Sequence, residues 1–305
     1  MFWSALLISL GVFLNSVISF AQMPQKLKVV ATNSIVADWV RNVAGSQVDL
    51  ITLVGPDADV HTFEPTPFDD VALFKADIIF EIGLGFEHWM NKLYAASGSH
   101  AKRVVLTDRV DIDPLSIFEH GHKEDIDPHV WHNVLYVIKM VQRINRILQS
   151  SDPLHAQVYE QNTQFYLKQL QGLESWALKT VAQIPKAKRK LVTNHDSLGY
   201  FCEHYQFKLI GAAFNSATTE AEDPSAKDMA DLILKIKKSG VGVVFAENMQ
   251  NSKVLASLAK EAHVNLAPPL YTDALGPQGS VADTYIKMMR YNIETIVHEL
   301  LKTSN

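Results

Sequence analysis

Cysteine is almost missing. Cys202 is the only one in 305 residues, which excludes an intramolecular disulfide framework and any multi-cysteine zinc ribbon. An excess of positive charge is missing too. With 28 Lys+Arg against 33 Asp+Glu the formal net charge is −5, so the chain lacks the overall basic character by which phosphate backbones are neutralised, and no nucleic-acid partner is expected. The short run Lys186-Ala187-Lys188-Arg189-Lys190 reads as a solvated connection into a strand. Past the N-terminus no apolar stretch approaches the roughly 20 residues of a membrane-spanning helix. Familiar catalytic signatures are absent as well: there is no P-loop Gly-Lys-Ser/Thr, no His-Glu-x-x-His helix and no Gly-x-Ser-x-Gly elbow. Gly83-Leu84-Gly85 begins like a dinucleotide loop, but His88 stands where the third small residue belongs. His195-Asp196 resembles a hydrolase dyad without its partners.

What the chain does have is enough length for about two domains, each with its own core. Residues 1–21 carry no charged side chain, and the apolar run Ala5 to Leu14 is followed by the small-residue pattern Ser19-Phe20-Ala21. This predicts a signal peptide cleaved after Ala21 and a periplasmic mature protein. An apolar core of about 10 residues is short for an uncleaved anchor. With no cysteine at the cleavage point, lipid attachment is not expected.

From Lys26 the pattern alternates short β-branched runs with longer amphipathic ones: strands at Leu27 to Ala31, Val48 to Val54, Asp77 to Ile82 and Arg103 to Leu106, with helices from about Ser34, Pro67 and Phe86. Two long helical stretches follow, from about Trp131 to Ser150 and from about Pro153 to Val181. The alternation then restarts, with strands at Lys190 to Thr193, Phe207 to Ile210, Val241 to Phe245 and Val264 to Ala267, helices between them, and a last helix from about Ser280. The fold class is α/β, with an N-terminal lobe over 22–150, a long linking helix over 151–184 and a C-terminal lobe over 185–305.

Histidine is the abundant chemical group, at 12 residues. Three of them fall just beyond a strand or at a helix start. His61 follows the second strand in a turn-rich run, His129 sits in Asp127-Pro128-His129-Val130-Trp131 ahead of a helix, and His195 ends the strand Leu191 to Asn194. Asp273 lies in the loop after the last strand. In open α/β sheets ligands bind outside the carboxyl ends of the strands, so these equivalent positions predict one shared site with two members from each lobe. Glu64 and Asp59 are candidate acceptors for the His61 ring, and Asp196 for the His195 region. His132 is the nearest competitor of His129. His88, His100, His155, His204, His263 and His298 read as structural.

At these positions the sequence resembles the metal-binding solute receptors of bacterial ABC importers, the zinc and manganese uptake family called ZnuA/TroA-like. The motifs are Val60-His61-Thr62-Phe63-Glu64-Pro65-Thr66-Pro67, Gly83-Leu84-Gly85-Phe86-Glu87, Asp127-Pro128-His129-Val130-Trp131, His195-Asp196-Ser197-Leu198-Gly199-Tyr200-Phe201, and Thr284-Tyr285 to Met289-Arg290-Tyr291-Asn292. The resemblance implies two four-stranded α/β lobes bridged by one rigid helix, a metal ion held between them, and delivery to an inner-membrane ABC permease. It also implies His61, His129, His195 and Asp273 as the metal ligands. Imidazole suits Zn(2+), whereas harder Mn(2+) prefers oxygen donors, so zinc is the expected cargo, with manganese or a mixed specificity as the alternative. Glu119 to Asp125, with His120 and His122, resembles a shortened form of the family's His- and acid-rich loop; it reads either as a metal-collecting loop or as a flexible acidic one. A monomer is expected, with a metallochaperone as a candidate second partner. Two other classes remain open, a metal-dependent adhesin and a zinc hydrolase, though four protein ligands leave no position for a catalytic water.

Overall fold

Strand β1 (Leu27–Asn33) is the run Leu-Lys-Val-Val-Ala-Thr-Asn, whose last five residues are buried. It lies inside a parallel sheet with β2 (Val48–Val54) on one side, β3 (Ile78–Glu81) on the other, and β4 (Lys102–Val105) beyond β3. Strands covered on both faces read as continuous apolar runs, and Ile-Ile-Phe-Glu of β3 is buried throughout. The computed structural model describes residues 25–119, 122–214, 224–249 and 252–302; the expected signal peptide and His120 lie outside them.

Helix α1 (Ser34–Ala44) starts where the Asn33 side chain accepts the Val36 N–H. Helices α2 (Pro67–Lys75) and α3 (Met90–Ser97) complete the βα series. A short antiparallel hairpin, β5 (Ser116–Glu119) and β6 (His122–Ile126), then interrupts it and pairs Glu119 with His122 and Phe118 with Lys123, so most of the stretch Glu119 to Asp125 expected as a loop is strand backbone. The two long helices are α4 (Val134–Ser151) and α5 (Ala156–Val181). Both begin later than the sequence suggests, behind 3₁₀ turns at Val130–His132 and Pro153–His155. The cause at the first is Asn133, which is extended and whose side chain accepts the Leu135 N–H, so the α-helix restarts there. With 26 residues α5 is about 39 Å long.

The second lobe holds β7 (Lys190–Thr193), α6 (Gly199–Tyr205), β8 (Lys208–Ala212), α7 (Ala226–Ser239), β9 (Val243–Glu247), α8 (Lys253–Ala262), β10 (Asn265–Leu270) and α9 (Tyr285–Lys302). Its four strands are hydrogen-bonded as two parallel pairs, β7 with β8 and β9 with β10, each with a register shift, and β7 runs beside β9. Strand β10 continues through Pro268-Pro269, past the end expected from the sequence, because among the described residues β9 is its one hydrogen-bonded neighbour and an edge strand tolerates the missing N–H groups.

One apolar core runs from the first sheet through α1, α4 and α5 to α6 and α9, and takes in Leu191, Val243 and Phe245 of the second sheet. A smaller core, built on Val192, Val244, Leu232, Ile236, Leu255 and Leu258, fills the space under α7 and α8. The two lobes are therefore not separate globules on a string. Helix α9 lies against α1 and α5, and buried Asp38 of α1 ties them together by accepting from the Tyr285 N–H (3.1 Å) and the Tyr166 hydroxyl (3.3 Å). Among the described residues no helix is long and apolar enough to cross a membrane.

Candidate metal centre

His61 sits in the loop between β2 and α2, where its backbone is held on both sides. Asp59 Oδ1 accepts the His61 N–H (2.9 Å), the His88 ring nitrogen Nε2 lies 2.7 Å from the His61 carbonyl, and the Trp89 indole donates to the Val60 carbonyl (2.9 Å). The imidazole meets the Phe86 ring edge-on. His129 is set by its own tripeptide: Asp127 Oδ1 accepts the His129 N–H (2.9 Å) and lies 2.7 Å from Nδ1, while Pro128 stiffens the link. Gly199 at the start of α6 makes room for that carboxylate, since a Cβ there would stand 2.4 Å from Asp127 Oδ2.

On the other side of the cleft a single carboxylate arranges two residues. Glu247, at the end of β9, accepts the backbone N–H of Asn194 (3.1 Å) and of His195 (3.1 Å), and its Oε2 lies 2.6 Å from His195 Nδ1. The same oxygen accepts the Thr272 hydroxyl (2.9 Å), which fixes the residue before Asp273. Trp131 then joins the two sides, because its indole N–H donates to the Thr272 carbonyl (2.7 Å) and its own carbonyl accepts the Tyr285 hydroxyl (2.7 Å).

These supports bring His61, His129, His195 and Asp273 together, all buried, with one donor atom from each lying within 4.8 Å of the others. Asp273 Oδ2 is 3.1 Å from His195 Nε2 and 3.4 Å from His61 Nε2, and Oδ1 is 3.5 Å from His129 Nε2. His129 Nε2 and His195 Nε2 are 3.4 Å apart. With the carboxylates of Asp127 and Glu247 beside the two Nδ1 atoms, the proton of a neutral His129 or His195 ring sits on Nδ1 and its Nε2 lone pair turns inward. With the rings neutral, lone pairs and a carboxylate converge with no donor between them, and neither Asp273 oxygen meets hydrogen-bond geometry with a partner among the described residues. Such a cluster repels itself unless positive charge enters.

The acid–base character of the groups follows from this. Burial disfavours charge on His129, yet Asp273 and Asp127 outweigh it and push the ring up to about 9. Burial is likewise overcome at His195 by Glu247 and Asp273, which hold it well above the ordinary value. At His61 burial wins over Asp273 and the ring is held down. Burial would raise Asp273, but His195 and His129 keep it well below the usual carboxylate range. The site draws in positive charge, as a proton or as a metal ion. Separations of 3.1–3.5 Å around Asp273 and between His129 and His195 are close to the roughly 3.3 Å edge of tetrahedral ligands at roughly 2.0–2.1 Å from a zinc ion, and with all four donors within 4.8 Å of one another the cluster suits one small divalent cation.

Several expectations need correction. The acceptor on His195 Nδ1 is Glu247, where the sequence suggested Asp196. Glu64 is exposed, and it is Asp59 that supports His61, through the backbone. His132 is buried in the 3₁₀ turn outside the four-residue group, and burial pushes it down to about 3. The Gly83-Leu84-Gly85 loop, which resembled an anion-binding turn, is occupied by the chain's own carboxylate: Glu87 accepts from the N–H groups of Ile82 (2.8 Å) and Gly83 (2.9 Å) and from the Thr32 hydroxyl (2.7 Å). Neither Glu247 nor Asp127 is expected as a support from the sequence pattern, although Asp127 stands two residues before His129 in Asp127-Pro128-His129.

The family described as "Zinc-uptake complex component A periplasmic" matches residues 29–299. The chain belongs to this ZnuA family. Its members are solute-binding receptors of metal ABC transporters. Among curated relatives, the manganese-binding lipoprotein MntA of Halalkalibacterium halodurans is 32% identical over 274 residues, covering 90% of this chain and 88% of that protein. MntA of Bacillus subtilis is 30% identical over 281 residues, covering 90% of each. Among solved structures, the periplasmic zinc-binding protein TroA of Treponema pallidum superposes with a TM-score of 0.84 at 30% identity, covering 90% of this chain and 99% of TroA. The ZnuA-type fold expected from the motifs, two α/β lobes joined by a long helix, is the fold of this chain.

Proposed function

We propose that this receptor captures Zn(2+) with His61, His129, His195 and Asp273 and delivers it to its membrane permease. The observation that carries the reading is the inward convergence of imidazole nitrogens on a buried carboxylate, with Asp127 and Glu247 holding two rings in the metal-accepting tautomer. Three nitrogen donors favour zinc over the oxygen-preferring alternatives. In this reading residues 22–150 and 185–305 are the two lobes, 151–184 is the link, and a cleaved signal peptide over 1–21 sends a monomeric protein to the periplasm, where a metallochaperone is a candidate loading partner. Because nanomolar capture corresponds to about −12 kcal/mol, release at the permease requires ligand geometry to change. The core shared across α5 and α9 favours small lobe tilts and loop shifts over a wide hinge.

Manganese is the second reading, and two observations favour it: both Asp273 oxygens face the cluster and could serve as two ligands, and the relatives named above are described as manganese-binding. Elemental analysis of the mature protein, stripped and then offered both metals in equal amounts, should find one zinc per chain in the wild type and a loss of at least tenfold in His195→Ala and Asp273→Ala. Retention of manganese would replace the cargo, and no metal in the wild type would end the receptor reading.

A further inference from the structure

Asp57 stands astride the cleft four residues before His61. Its N–H donates to the carbonyl of Leu275 (2.9 Å), two residues after Asp273, and its carboxylate accepts the side-chain amide of Asn248 (2.7 Å), the residue after Glu247. One N-lobe residue therefore touches both C-lobe segments that carry the site's supports. It does so at φ +52°, the left-handed region that most side chains avoid and Asp tolerates, and this turn lets the N–H and the carboxylate address two different partners. Both partners are themselves anchored: Asn248 donates its backbone N–H to Leu270 at the end of β10 (2.9 Å), and Leu275 donates its own to the Ser34 hydroxyl (3.0 Å). Neither Asp57 nor Asn248 contributes a donor atom to the four-residue cluster.

We infer that Asp57 and Asn248 form a clasp across the mouth of the cleft that sets how long the metal stays bound. The inference rests on the metal-receptor reading, but adds a function to residues outside the ligand set. A side-chain bond to a carboxylate that exists only when the lobes are closed stabilises the closed form alone, so its loss speeds opening without altering the ligands. At an exposed position such a bond amounts to a three- to tenfold change in rate.

The test is the release rate from metal-loaded mature protein, followed by stopped-flow mixing with a chelating dye. Asn248→Ala should release zinc three- to tenfold faster while still binding one ion per chain. Asn248→Asp, which sets two carboxylates against each other, should release faster still, and added salt should slow it. The reversed pair, Asp57→Asn with Asn248→Asp, re-forms the bond with donor and acceptor exchanged and should return to within about twofold of the wild type. A release rate unmoved in Asn248→Asp, or a reversed pair as fast as Asn248→Asp, overturns the clasp while leaving the receptor reading intact. A wild type that binds no metal overturns both.

Discussion

The two halves of the site are held in place by different means. On the N-terminal side the strand ladder is complete, since β1 pairs with both β2 and β3 and β3 with β4, and each histidine is set by its own neighbourhood, Asp59 for His61 and Asp127 for His129. On the C-terminal side, among the described residues, the sheet is hydrogen-bonded only within its two pairs. Where β7 meets β9 at the site, the Glu247 side chain takes the backbone N–H groups of Asn194 and His195 that a ladder would otherwise satisfy. One half is set locally; in the other one buried carboxylate orders His195 and the Asp273 loop together, with Trp131 and Asn292 as further holds on that loop. A metal receptor needs rigid donors and also a way to let go, and this division places the concentrated dependence on one lobe.

Breaking the comparison at its most dependent point should give the largest effect. Glu247→Ala would strand two backbone N–H groups, the Thr272 hydroxyl and His195 Nδ1 in a buried setting, at a cost of about 3–5 kcal/mol in chemical denaturation. Metal affinity in chelator competition should fall on the order of 100-fold. The equivalent change on the local side, Asp127→Ala, should cost about 1–2 kcal/mol and about tenfold in affinity, because the turn and Trp131 still hold His129. Equal losses from the two substitutions would erase the asymmetry.

Proton competition sharpens the same contrast with a smaller effect. His129 is held above its unfolded value of about 6.5, so its charge stabilises the metal-free fold below that pH, and the contribution is lost as pH rises through about 9. Metal requires the neutral ring, so affinity should climb across that window, and the Tm difference between loaded and metal-free protein should widen from pH 6 to pH 9. A difference that narrows would contradict the assignment of His129. The smallest effect concerns no metal at all. Helix α7 buries only Leu232 and Ile236, in the smaller core, whereas α1 is buried over most of its length, so amides of α7 and β8 should exchange with solvent faster than those of α1 and β1. Uniform protection across the two sheets would show that the broken ladder carries no penalty.

Much of this architecture is legible without coordinates, and the reason lies in range. The alternation of β-branched runs with amphipathic stretches is written in adjacent residues. So is the placement of His61, His129, His195 and Asp273 in turn-rich segments at strand ends, and Asp127 was visible beside His129 to anyone asking what its ring would lean on. Helix starts slipped by a few residues where caps such as Asn133 compete with the apolar period, and β10 ran longer because an edge position forgives Pro268-Pro269. A glutamate closing an apolar strand looks like any solvated strand end, so nothing near Glu247 announces a partner 52 residues away.

What the amino-acid order determined by itself is the chemistry on offer: three imidazoles and a carboxylate, each in a loop that short-range turn and strand signals already specify. What only the tertiary structure decided is which groups hold them. Glu247 under His195, Trp131 on the Thr272 carbonyl 141 residues away, and Asp57 across the cleft from Asn248 at a separation of 191 exist because packing the two lobes on α5 and α9 brings those backbones together. Local propensity has no term for a contact between segments so far apart in the chain; only burial of a shared core creates it.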